Sequence, residues 1–218
     1  MTLRIVCAAS AIFLLILSGP ANAQMRITEW AYQGPEYVEF TNVGAVAIDM
    51  TGWSYDDDSR TPGVTSLSAF GIVQPGLSVV LAEDTEATFR GLWGPNLPAS
   101  VPVIGENAAN LGRNDEINLF DNLNALVDRL AYGDQTFPGT IRAQADVGGA
   151  GIPSGPAALG ANNVSLWQSA QVGDAFGSWQ APGGTSVGNP GRFVPEPSSI
   201  LLLVAGTIGL ALGRRPGR

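Results

Sequence analysis

The stretch Glu36-Tyr37-Val38-Glu39-Phe40-Thr41-Asn42 decides the fold. Read as a strand, it puts Val38 and Phe40 on one face and Tyr37, Glu39 and Thr41 on the other. Glu36 and Glu39 then lie on opposite faces. Gly34-Pro35 supplies a turn before it and Val43-Gly44 a break after it. The same pattern of short β-type runs cut by Gly, Pro, Asn and Asp recurs on both sides, and no helical period competes with it.

Upstream, Met25-Arg26-Ile27-Thr28-Glu29-Trp30 alternates roughly and reads as the first strand. Downstream, Val46-Ala47-Ile48 and Gly52-Trp53-Ser54-Tyr55 read as short strands, and Ser66 to Val73 has mixed strand character. Leu77 to Ala82 is almost wholly apolar, which predicts a central strand buried on both faces. Glu83 to Trp93 predicts a short helix, with Glu86 and Arg90 four apart. Gly94 to Gly105 reads as a Pro-rich loop. Glu116 to Asp121 and Ala125 to Tyr132 predict a hairpin closed through Asn122, Leu123 and Asn124. Gly148 to Pro156 reads as an extended loop, and Val164 to Gln168 as a last edge strand. Of Trp30, Trp53, Trp93, Trp167 and Trp179, most are expected to fill the core, and any left exposed could stack on sugars. The fold class expected is all-β, a sandwich.

Both ends of the chain differ from this middle. Arg4 precedes an apolar run from Ile5 to Leu17, and Ala21-Asn22-Ala23 supplies small residues at −3 and −1. That layout predicts a secretory signal peptide, residues 1–23, with a helical apolar core and a cut after Ala23. At the other end, residues 194–218 hold Pro195-Glu196-Pro197, an apolar run from Ile200 to Leu212 and a basic end at Arg214, Arg215 and Arg218. The run predicts a short hydrophobic helix, below the roughly 20 residues of an ordinary span. The arginines past it favour the cytoplasmic side.

Composition removes many functions. The chain has 218 residues, no histidine and no lysine, and its one cysteine, Cys7, lies in the signal segment. Ser-His-Asp and Cys-His arrangements, His- or Cys-ligated metals and Schiff-base lysines are therefore excluded. Without Arg4, Glu196 and the three terminal arginines, 7 basic and 18 acidic residues remain, a net −11. Such a surface repels phosphates, so nucleic acid is not an expected partner. Catalytic and cofactor-binding residues are read as none. Asp56-Asp57-Asp58 is the one cation candidate, with calcium as the only cofactor it admits. Simple pairing with Arg60, two residues on, is the competing reading. A carboxylate-pair hydrolase remains as a further alternative.

Two resemblances sharpen these readings. The C-terminal triplet, apolar run and arginines resemble the PEP-CTERM sorting signal. This implies recognition and processing by an exosortase of a Gram-negative cell that makes exopolysaccharide. The sorting residues would be Pro195, Glu196, Pro197, Arg214 and Arg215. The middle, residues 24–193, resembles the lamin-tail domain, an immunoglobulin-like β-sandwich. The resemblance is carried by Ile27-Thr28-Glu29 before Glu36 to Asn42, then by Ile48 to Trp53 and Val73 to Leu81. Asn110-Leu111-Gly112 leading into Asp115 to Asp121, then Val127 to Tyr132, Ser165 to Gln168 and Gly188-Asn189-Pro190-Gly191 complete it. The expectation is an exported, non-enzymatic protein, held transiently at the membrane by its C-terminal helix and destined for the cell surface or exopolysaccharide matrix. A carbohydrate- or calcium-binding extracellular module is the alternative.

Overall fold

The computed structural model describes residues 24–133 and 149–193. The expected signal helix and C-terminal helix lie outside these residues. The described chain is mostly β-sheet with one short helix. β1 (Met25–Ala31) and β2 (Tyr37–Asn42) form an antiparallel pair, and β3 (Ile48–Asp49) and β4 (Ser54–Asp56) follow. β5 (Thr65–Ser66), β6 (Ile72–Val73) and β7 (Ser78–Ala82) lead into α1 (Glu86–Trp93). β8 (Val103–Ile104) precedes the hairpin of β9 (Asp115–Phe120) and β10 (Leu126–Tyr132). After residue 149 come β11 (Gly151–Pro153), β12 (Trp167–Ser169), β13 (Trp179–Gln180) and β14 (Val187–Gly188).

Two sheets face each other. One has the order β12-β11-β1-β2-β7-β8, the other β10-β9-β4-β5. The alternation in β2 explains why the larger sheet is covered on both sides. Val38 and Phe40 point into the core between the sheets, with Ile27, Trp30, Tyr55, Val79, Leu81 and Ile117. Tyr37 points the other way, into a second core with Val80, Phe89, Trp93, Ile152 and Phe176. The second core is roofed by α1 and by the segment from Ala170 onward. The helix starts where Thr85 caps it, its hydroxyl accepting from Thr88 N–H at 3.2 Å. Its ion pair is the expected one, Arg90 Nε to Glu86 Oε1 at 2.7 Å.

The first core is aromatic at its centre. Trp30 stacks on Tyr132 with ring centroids 4.0 Å apart, joining β1 of one sheet to β10 of the other. Asp128 of β10 adds a polar link by accepting Ile27 N–H at 3.0 Å.

The first strand, the buried strand Ser78–Ala82, the helix and the hairpin agree with expectation. Three segments do not. The loop read over Gly148 to Pro156 contains β11, hydrogen-bonded between β1 and β12. Gly149 lies so close to this sheet that a Cβ there would stand 2.2 Å from Ser169 Oγ. Packing that tight favours glycine, so Gly149 marks a close approach rather than a loop. The Pro-rich loop Gly94 to Gly105 ends in β8, which runs parallel to β7. The strand read from Val164 begins only at Trp167. It is an edge strand but not the last, because the β13-β14 ribbon follows.

Phe40 is fully buried and Leu123, at the hairpin tip, is 81% exposed. Phe40→Ala is expected to cost about 3–5 kcal/mol, while Leu123→Ala should stay within about 0.5 kcal/mol. Urea denaturation of the two variants checks this, and equal losses would contradict the packing described.

Candidate functional site

Ile27 and Trp30 are three residues apart, so a regular strand would put them on opposite faces. Both enter the first core. A β-bulge between Ile27 and Glu29 makes this geometry available, and two neighbours, Thr28 and Glu29, then share the opposite face. Glu29 pairs across the strands with Glu39. Two carboxylates are thereby brought together beneath the second core, each only 1% exposed.

Their hydrogen bonds explain how they are tolerated. Glu39 Oε1 accepts from Thr28 Oγ1 at 2.6 Å, and the hydroxyls of Thr28, Thr41 and Ser78 run on from it in a chain with 2.7 Å steps. Two further acceptors are met by one turn, while Glu29 Oε2 is buried without a hydrogen-bond partner among the described residues. Asn189 N–H donates to Glu29 Oε1 at 2.7 Å, and Gly191 N–H donates to Glu39 Oε2. Asn189 also donates through Nδ2 to the carbonyls of Phe176 and Arg192. The turn must be built from glycine at both ends. A Cβ on Gly188 would stand 2.3 Å from Glu29 Oε1, and Gly191 has φ +78°. Next to it, Arg192 lies over the Trp179 ring at 5.4 Å, and Trp179 meets Trp93 edge-on at 5.7 Å. The segment leading to Phe193 is therefore fastened to the sheet from below and to the helix from the side.

Burial disfavours charge on both acids. It pushes the Glu39 carboxyl up to about 7, against the pull of its bonds from Thr28 and Gly191. Glu29 is raised well above the ordinary value, by burial first and by the Glu39 charge second, with Asn189 N–H acting against both. Two buried carboxyls paired across the strands cannot both ionise cheaply, so each holds its proton more tightly than a free carboxyl does. Glu36 is a separate case. Burial raises it to about 8, opposed by Leu111 N–H, while the charges of Glu83, Asp115 and Asp57 add to the rise.

Asp56, Asp57 and Asp58 do not converge. Asp56 is buried, its carboxylate taking Ser59 Oγ at 2.6 Å and Thr61 N–H. Asp57 accepts from Ser59 N–H, and Asp58 is exposed. Among the described residues, no group of three or more acidic side chains is placed to hold a metal. The Arg60 pairing is corrected. Arg60 reaches across to Glu116 with both nitrogens rather than to its aspartate neighbours. That fork ties the loop after β4 to β9 and leaves the aspartates to their own turn. Ala21, Ala23, Pro195, Glu196, Pro197, Arg214 and Arg215 lie outside the described residues.

Glu36 and Glu39 do diverge: Glu36 reaches Leu111, of the first core, whereas Glu39 lies under the second. The pair that sequence reasoning missed is Glu29 with Glu39. Its signal was the odd spacing of Ile27 and Trp30, which requires a bulge. Buried and bonded to backbone, these carboxylates act as acceptors that hold a turn. A surface cavity of about 360 Å³ opens beside the network, lined by Thr41, Val43, Pro153, Leu159, Phe176 and Phe193 among others.

A carboxyl whose pKa is higher folded than unfolded binds its proton more tightly in the folded chain. The stability this gives is complete below the unfolded value near 4.5 and is lost as pH rises through the folded value. Glu116 and Asp49, whose pKa values are lowered by Arg60 and by Thr51, act in the opposite sense but only at more acid pH. The melting temperature is therefore expected to fall from pH 5 to pH 9. Glu36→Gln, whose amide oxygen still accepts from Leu111, should flatten the upper part of that fall. A Tm that rises over this range would contradict the assignment.

No characterised relative matches the chain significantly. The PEP-CTERM protein-sorting motif matches residues 193–215, beginning at the residue where the fastened segment ends. The Lamin Tail Domain matches residues 18–134, more than half of the chain, and this family is immunoglobulin-like and of a non-catalytic kind. With its two facing sheets and the order of strands described above, the chain belongs to the lamin tail domain family.

Proposed function

We propose that this is an exported, non-enzymatic structural protein of the cell surface or exopolysaccharide matrix. Its parts would be a signal peptide, 1–23, cut after Ala23 beside Ala21, a domain, 24–193, and a sorting segment, 194–218. The PEP-CTERM motif indicates exosortase-targeted export with processing at the membrane. The observation that carries the reading is its position. The motif starts two residues after Gly191, whose N–H is held by Glu39. The tail is thus attached to a closed domain rather than to a loose linker. The absence of histidine and lysine, and the use of the paired carboxylates as buried acceptors, support a role without catalysis.

In this reading Pro195, Glu196 and Pro197 are what the exosortase recognises, and Arg214 and Arg215 hold the apolar run in place from the cytoplasmic side. Replacing Pro195, Glu196 and Pro197 by alanine in a cell with an exosortase is expected to leave the protein at its unprocessed mass in the membrane fraction. An unchanged mature mass and location, read by mass spectrometry after fractionation, would sink the proposal.

A further inference from the structure

The domain is strongly polarised along β2. At the Tyr37 end stand Glu36 and the acids whose charges act on it, Glu83, Asp115 and Asp57. At the Asn42 end the chain is nearly without charge. Residues 67–79 and 153–167, which lie toward this end, contain no ionisable side chain, nor do residues 40–48. The loops of this end are joined to one another. Asn42 Nδ2 donates to the carbonyls of Val46 and Val73, and Gly76 N–H donates to Asn42 O. Met50 N–H donates to Gly71 O, and Gly52 packs against Asn122 of the hairpin tip.

Large apolar side chains are exposed on these loops. Val46 is 38% exposed, Ile72 65%, Leu77 46%, Leu123 81% and Leu126 45%. The apolar cavity opens at the same end, with Val43 and Gly76 in its wall. Phe193 is also in that wall, so the chain leaves the domain here. Charges bordering this end are tied to backbone N–H groups, Asp49 and Asp121 to their own turns, Asp128 to Ile27 and Asp174 to Phe176, with Arg26 and Arg192 beside them.

We infer that this uncharged end is an interaction surface for the lipid interface of the membrane, with Leu77 and Leu123 entering the headgroup layer and Phe193 directing the chain into it. The inference rests on residues 194–218 being the membrane-held segment. From Phe193 to the apolar run at Ile200 is seven residues, a reach of roughly 25 Å at most. The fastened Gly188–Gly191 turn denies the chain further slack, so one end of the domain must stay near the bilayer. An acidic body is repelled by anionic lipid. The end that lacks charge and exposes aliphatic side chains is the one that can rest there.

The test uses the chain from Gln24 to Arg218, which has no cysteine, in phosphatidylcholine vesicles. Single cysteines replace Leu77, Leu123 or Val64, the last being exposed and next to β5 toward the acidic end. Each carries a polarity-sensitive fluorophore. The expected result is co-sedimentation with vesicles, a blue shift and quenching by shallow nitroxide lipids at positions 77 and 123, and water-like emission at 64. Co-sedimentation with all three positions water-like, or all three shifted alike, overturns the surface while the tail reading stands. Failure to co-sediment removes the tail reading and the surface with it.

Discussion

The structure depends on two buried carboxylates and the turn they hold. Glu29 and Glu39 lie side by side because a bulge in β1 turns two consecutive residues to one face. Unpaired, they would be a heavy burden in an apolar setting, since a buried polar group without partners costs several kcal/mol. Here they accept the N–H groups of Asn189 and Gly191, the hydroxyl chain satisfies part of what remains, and a tighter hold on protons eases the mutual repulsion. The Gly188–Gly191 turn is thus tied to the two strands at the centre of the larger sheet.

This bond couples parts of the chain that are far apart. Residues 28 to 41 provide the acceptors, and residues 188 to 191 provide the donors. The second core closes only when both are in place, because Phe176, Trp179 and Val187 come in with the turn. The two-layer sandwich then becomes three layers, with α1 and the C-terminal segment covering the outer face of the larger sheet. The sorting motif begins where that closure ends, which links the state of the domain to the placing of the tail.

Much of this was legible in the sequence, and the reasons differ by element. β2 and the β9-β10 hairpin have alternating faces and turn residues at their ends, so local pattern suffices. Ser78–Ala82 was legible because only a strand covered on both faces tolerates a continuous apolar run. Gly151–Pro153 was not, because glycine and proline are the residues of turns, and its strand state comes from pairing with β1 and β12 on either side. Arg60 shows the same limit in electrostatics. Asp58 is nearest in sequence, but Glu116 presents both oxygens to the guanidinium fork across the sheet. The glutamate pair needed the bulge to be recognised first, since a regular strand would have separated Glu29 from the face of Glu39.

The closing turn is where the account is most exposed to test. Hydrogen–deuterium exchange on the folded chain, resolved at the amides of Asn189 and Gly191, measures it directly. The account predicts that both exchange as slowly as amides of β2, with Glu29→Ala and Glu39→Ala releasing them. Exchange at the rate of an open chain in the unsubstituted protein would contradict it.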